Sequence, residues 1–139
     1  MHIRPYEEGD EAQVVALWQE CELTRPWNDP RKDIQRKLVV QRELFLVGVA
    51  AGQVVASVMA GYDGHRGWVN YLAVARRHRG QGHASALMRC VEELLVAAGC
   101  PKVNLQVRAS NSQAIDFCRA IGYVQDEAVS YGKRLIPDV

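Results

Sequence analysis

The sequence predicts an α/β (α+β) fold, with a mixed, mostly antiparallel sheet built around one central parallel β-α-β crossover. Two observations carry that reading. First, Leu44–Ala50 and Val54–Gly61 are Val-rich runs on either side of a short Gly-containing break, the pattern of a buried β-hairpin. Second, Trp68–Val74 and Lys102–Val107 are strand-like runs that flank the clearest amphipathic pattern in the chain. Ala84, Leu87, Met88, Val91, Leu94, Leu95 and Ala98 recur there at helical spacing. Strand, helix and strand in that order form a crossover, which is right-handed by the general rule. A length of 139 residues, with 48% hydrophobic and 24% charged residues, fits one domain over residues 1–139 with one core.

The remaining elements follow along the chain. Ile3–Tyr6 reads as a short strand. Asp10 is placed to cap a helix, with Gln13 completing a capping box, and Val14, Leu17, Trp18 and Cys21 line that helix. The sequence RPWNDP breaks the pattern. Asp29 followed by Pro30 starts a second helix, in which Ile34 and Leu38 form a narrow apolar stripe. The run from Leu44 to Gly61 approaches membrane-spanning length, but AAGQ interrupts it, so a hairpin is expected and no membrane partner. YDGHRG is a turn. Gly99 and Pro101 end the long helix. Ala114, Phe117, Cys118 and Ile121 line a shorter helix that Gly122 stops, and YVQDEAVSYGKRLI is expected to hold one or two last strands. The expected order is β-α-α-β-β-β-α-β-α-β-β.

Bulk properties narrow the function. A formal net charge of +1 argues against a dedicated nucleic-acid binder. Cys21, Cys90, Cys100 and Cys118 form no C-x-x-C, and the four histidines show no zinc spacing beside them. Free thiols in a reducing cytoplasm, and no metal, are the expectation. The N-terminus MHIRPYEEGDE is charged and shows no signal peptide.

The stretch RRHRGQGHASALM, Arg76–Met88, is a basic, glycine-rich entry to a helix. Helix starts carry unpaired N–H groups and bind phosphate readily. A Walker loop would require a lysine after the second glycine, and GQGHAS has none. A dinucleotide fingerprint would require a third glycine where Ser85 stands, and an acid at the end of the next strand, where Val107 and Arg108 stand.

The stretch instead resembles the acetyl-CoA loop of the GNAT superfamily of N-acetyltransferases, whose pattern Q/R-x-x-G-x-G/A is met by Arg79, Gly82 and Ala84. A second GNAT pattern is met by Asn111, Ala114, Phe117, Gly122 and Tyr123, in the right order and at the right separation. The resemblance, closest to a small bacterial branch of the superfamily, implies a three-layer fold, acetyl-CoA as co-substrate and a cytoplasmic enzyme. The implied reaction moves an acetyl group to a primary amine by direct attack in a ternary complex, the acceptor being a small molecule or a protein amino group. It also implies that main-chain groups of Leu72 and Val74 hold the pantetheine arm. Gly80, Gly82, His83 and Ala84, with Arg77 and Arg79, would hold the phosphates, and Asn111 and Phe117 would complete the cofactor site. Arg76 is read as a solvated charge. Homodimers are common in the superfamily, and the C-terminal strands offer a contact.

Catalysis is less well specified. The superfamily places a proton-donating tyrosine where this chain has Cys118. Cys118 is either that donor or an inert thiol on the apolar stripe, with water, Tyr131 or Tyr71 supplying the proton instead. The strand before the loop lacks the glutamate that often serves as base. Asp63 and His65 are the nearby candidates, or else they simply make a turn. Trp27 and Asp29 either shape the acceptor wall or pack and cap. A non-catalytic acetyl-CoA sensor is the alternative that these departures raise.

Overall fold

The computed structural model describes residues 1–139. Its elements are β1 (His2–Pro5), α1 (Glu11–Glu20), α2 (Pro30–Lys37), β2 (Phe45–Ala50), β3 (Gln53–Tyr62), β4 (Gly67–Val74), α3 (His83–Ala97), β5 (Val103–Leu105) and α4 (Ser112–Ala120). The sheet order is β1-β2-β3-β4-β5, antiparallel except for the parallel pair β4–β5 that α3 connects. The expected mixed sheet and its parallel crossover are both present. The apolar run from Leu44 to Gly61 is the β2–β3 hairpin, closed by Ala51 and Gly52 at φ +50° and +75°. Positive φ at both central residues matches the twist of the flanking strands. No helix is long and apolar enough to cross a membrane.

Alternation along the strands divides the core into two layers. Phe45, Val47, Val55 and Met59 pack against Val14, Trp18 and Ile34 of α1 and α2. Leu46, Ala56, Val58 and Val69 pack against Leu87, Met88, Val91 and Leu95 of α3. An aromatic column runs through the first layer. Tyr6 stacks on Phe45 at 4.5 Å, Phe45 lies 6.2 Å from Trp18, and Trp18 stacks on Tyr71 at 3.7 Å.

The column ends at a β-bulge. Ser57 pairs with Ala73 and Met59 with Asn70, so Tyr71 and Leu72 stand opposite Val58. Tyr71 has a φ of +52°, an uncommon conformation for a bulky residue. Hydrogen bonds hold it there. The buried Trp18 Nε1–H donates to Ser57 Oγ (2.8 Å), and Ser57 Oγ–H donates to the Tyr71 carbonyl (2.9 Å).

Three local expectations are corrected. Asp10 does not cap α1. Its carboxylate accepts both Arg4 guanidinium nitrogens (2.7 and 2.9 Å) and the Glu7 N–H (2.9 Å), so an ion pair has taken the capping oxygens. Gln13 accordingly accepts the Val54 N–H (2.8 Å) and joins α1 to the sheet. The last strands are absent. β5 pairs with β4 over three residues only, Val103–Leu105, and leaves little edge to extend. The apolar residues of the tail find no face: Val124, Val129 and Leu135 are exposed.

Polar side chains tether the tail instead. Lys102 Nζ bonds Asp126 (2.8 Å) and Arg134 bonds Asn28 Oδ1 (2.6 Å). Asp138 is buried, pairs with Arg36 and accepts the Asp29 N–H (2.7 Å). The Arg36 guanidinium holds the Asp138 carboxyl down at about 2, helped by the Asp29 N–H. A depressed carboxylate contributes stability above the ordinary aspartate value near ~4, and this is lost as the pH falls through about 2.

Two predictions follow from these contacts. Ser57→Ala leaves the buried Trp18 N–H unpaired and costs about 1–3 kcal/mol, read as a lower urea midpoint with an unchanged slope. Asp138→Asn at neutral pH releases the tail, read as faster hydrogen exchange at the Asp29 amide and faster proteolysis after residue 123.

Candidate active site

β4 and β5 pair from Gly67↔Val103 to Val69↔Leu105 and then separate. The bulge lies just past this point, so β4 bends away and its edge from Asn70 to Val74 has no neighbouring strand on the β5 side. The space between the strands opens into a cleft of about 3140 Å³. The start of α3, the face of α4 and the segment after α1 also border it.

At one end lies the glycine loop. Gly80 and Gly82 have φ values of +77° and +81°, and a Cβ on either would meet nothing within 4 Å. The loop therefore uses glycine for its backbone conformation, and the space in front of it is open. Gly82 is the N-cap of α3 and makes no side-chain cap, so the first N–H groups of the 15-residue helix have no capping side chain. His83, Ala84 and Ser85 of that first turn border the cleft. Leu72, Val74, Arg79, Asn111, Phe117 and Cys118 border it as well.

The side chains there are already partly engaged. Arg79 Nε donates to the Val74 carbonyl (3.0 Å), and the Cys21 thiol reaches the same oxygen at 3.4 Å. The carbonyl expected to serve a ligand thus holds the loop to the end of β4. Asn111 caps α4 by accepting the Ala114 N–H (3.1 Å). The Arg76 side chain borders the cleft while its N–H donates to Glu20 (2.8 Å), and Arg77 lies outside the lining. The Arg76 guanidinium is 61% exposed, in keeping with the solvated charge expected of it.

Cys118 faces the cleft, and burial pushes its thiol above the ordinary value. Tyr123, noted in the sequence only as a motif residue, also borders the cleft and donates its hydroxyl to Glu92 (2.6 Å). Burial and then that carboxylate push its phenol well upward.

Of the other catalytic candidates, Tyr71 alone borders the cleft. Asp63 Oδ1 accepts the N–H groups of His65 (2.8 Å) and Arg66 (2.7 Å), which builds the β3–β4 turn. Those bonds lower the Asp63 carboxyl. The turn precedes β4 and sits about 20 Å along the strand from Leu72, outside the cleft. Tyr131 is 94% exposed on the tail. Tyr71 donates its hydroxyl to Asp33 (2.7 Å) and accepts from Asn28 (3.2 Å), so it braces α2. Trp27 is exposed beside the tail, and Asp29 caps α2 through the Arg31 N–H (2.9 Å).

The family model of the acetyltransferase (GNAT) family matches residues 12–123. The chain belongs to the GNAT family. It is 49% identical over 139 residues to an acetyltransferase of Sodalis glossinidius, covering 99% of this chain and 98% of that one. Solved structures share the fold at lower identity. An aminoglycoside 6'-N-acetyltransferase from Acinetobacter haemolyticus matches with a TM-score of 0.78 and 20% identity, over 98% of this chain and 99% of its own. AAC(6')-Iy, solved with the bisubstrate analogue CoA-S-monomethyl-acetylneamine, matches with a TM-score of 0.75 and 16% identity, over 96% and 98%. The chain is thus an acyltransferase of a family that uses acetyl-CoA, and the glycine loop and the split strands fall within the matched region.

Gly82→Ala puts a side chain at φ +81° without a clash. It costs about 1–2 kcal/mol of stability through backbone strain alone, measured by thermal unfolding without ligand.

Proposed function

We propose that this GNAT protein transfers the acetyl group of acetyl-CoA directly to a primary amine in a ternary complex. One observation carries the reading: a single cleft joins an uncapped helix start behind a glycine loop to the unpaired edge of β4. The loop N–H groups suit a pyrophosphate and the strand edge suits an amide-bearing arm laid alongside as a further strand. The complex of AAC(6')-Iy with a CoA-containing analogue supports the same use of this fold.

Acetyl-CoA supplies the thioester. The phosphates fall to the backbone of Gly80, Gly82, His83 and Ala84, with Arg79 fixing the loop to β4. Asn111 positions α4 by capping it, and Phe117 packs beneath it. The amine attacks the carbonyl carbon, the new C–N bond forms, and the C–S bond breaks. A main-chain N–H at the bulge suits the developing oxyanion. We assign Cys118 as proton donor to the departing thiolate. Burial keeps its thiol protonated at neutral pH, and it faces the cleft. The proton lost by the attacking nitrogen passes to water, which restores the Cys118 thiol. Asp63, His65 and Tyr131 take no part in this scheme because of where they lie.

The acceptor side is formed by α2, the segment after α1 and the exposed residues of β4. Amine substrates of relatives support a primary amine. A sensor without turnover differs in one respect: it binds acetyl-CoA and releases no thiol with any amine.

Acetyl-CoA and CoA are expected to raise the melting temperature, while ATP and NAD leave it unchanged; the reverse would reject the reading. Cys118→Ala is expected to lower kcat about 100-fold with little change in KM for acetyl-CoA. An unchanged kcat would assign the proton to solvent.

A further inference from the structure

One buried cation in the cleft has no ion-pair partner. Lys37, at the end of α2, is 9% exposed. Lysine is rarely buried to that degree unless it is paired. Its Nζ donates to the Ala60 carbonyl (2.5 Å) and to nothing else, and it makes no ion pair. The nearest acid in helical register, Asp33, is occupied by Arg36, Asn28 and Tyr71. Burial pushes the Lys37 ammonium downward, and Glu43 only partly opposes this.

The ammonium lies 3.5 Å from where a Gly61 Cβ would be, so the missing side chain of Gly61 makes its place on the sheet. Gly61 pairs with Trp68, and Trp68 pairs with Asn104 of β5. Their flanking neighbours Ala60, Val69, Val103 and Leu105 face α3, so Gly61, Trp68 and Asn104 face the α2 side. Trp68 is 37% exposed there, on a strand whose neighbours at 67 and 69 are buried. Asn104 Oδ1 is buried and has no donor. Lys37, Trp68 and Asn104 all border the cleft.

This row therefore offers unused ammonium N–H groups, an indole face and a side-chain amide that makes no hydrogen bond, whose N–H groups can donate. It lies about 13 Å along β4 from Leu72 at the bulge, where the acetyl group is expected. We infer that Lys37, with Trp68 and the amide N–H groups of Asn104, binds the carboxylate end of the acceptor, which is an amine separated from its carboxylate by an extended chain. The inference rests on the transferase reading for which nitrogen reacts, and on the cleft alone for the carboxylate site. Both groups of an α-amino acid lie on one carbon, too close together to span the distance. A peptide of about four residues, at ~3.3–3.6 Å per extended residue, spans it.

The test compares tetraglycine with tetraglycine amide, by calorimetric binding to the CoA-saturated protein and by thiol release with acetyl-CoA. Tetraglycine is expected to bind at least tenfold more tightly than its amide. Lys37→Met, which keeps the volume of the stem, is expected to abolish that ratio without lowering the melting temperature. Asn104→Asp, which places a negative charge in the row, is expected to reduce it as well. Equal binding of the two peptides to the natural protein overturns the inference, as does a ratio that survives Lys37→Met. Thiol release with tetraglycine amide and no preference for tetraglycine rejects the carboxylate site and leaves the transferase reading intact. Lys37-dependent binding with no thiol release from any amine supports the site and rejects the transferase reading.

Discussion

The bulge at Tyr71 and Leu72 is the constraint on which the rest of the cleft depends. It inverts the facing of β4: Val69 faces α3, Tyr71 and Ala73 face α1, and Leu72 and Val74 face α3 again. It also bends the strand away from β5 after Val69, so a sheet that would otherwise be closed acquires an open edge. A left-handed tyrosine costs about 1–2 kcal/mol. The Trp18 stack, the Ser57 hydroxyl and the Asp33 carboxylate each contribute on the same scale, so the strain is held from three sides. None of these groups need touch a ligand. They set where the backbone groups of β4 point.

This division of labour explains what could be read from the letters. The hairpin, the crossover and the long helix were legible because each is written in hydrophobic period. Gly99 and Gly122 stop their helices at φ +87° and +91°, as local chemistry requires. The first GNAT pattern was legible because the loop backbone demands glycine at 80 and 82, and the second because Asn111 caps α4 and Gly122 stops it. The bulge was not, since nothing in WVNYLAV marks a tyrosine for positive φ; that conformation is imposed by Trp18, more than 50 residues earlier in the chain. The reading of Asp10 failed for a related reason. A capping oxygen and an ion-pairing oxygen look alike in sequence, and Arg4 claimed both. Tyr131 was named for its type in a segment expected to pair as strands, and without a β5 edge to join, that segment leaves it in solvent. Asp63 and His65 were close in sequence to the strand that matters, but lie at its wrong end.

The two ends of the cleft solve the problem of binding charge differently. At the glycine loop the Arg79 guanidinium is committed to the Val74 carbonyl, while that of Arg76 is mostly exposed. What remains free is the row of helix-start N–H groups, which are fixed in direction and need no reorganisation to meet a phosphate. A charged cofactor shared by a whole family is well served by backbone geometry, which tolerates substitution of the surrounding side chains. The acceptor end, as we propose it, uses the side chains of Lys37, Trp68 and Asn104, and side chains are what separate one acceptor from another.

That contrast bears on why a buried ammonium is retained at all. Replacing Lys37 with an apolar residue would remove a desolvation cost at no loss of an ion pair, because there is none. Its single hydrogen bond to Ala60 does not require a charge, and a neutral donor would satisfy that carbonyl equally. The orphaned Asn104 oxygen on the same face presents the same imbalance with the opposite polarity, a buried acceptor lacking a donor. Both groups cost stability in the empty protein; in the proposed site the ammonium is relieved by the ligand carboxylate, and the Asn104 oxygen by a peptide N–H beside it. Such a pairing of costs is expected where the site is shaped for its occupant rather than for the folded chain alone.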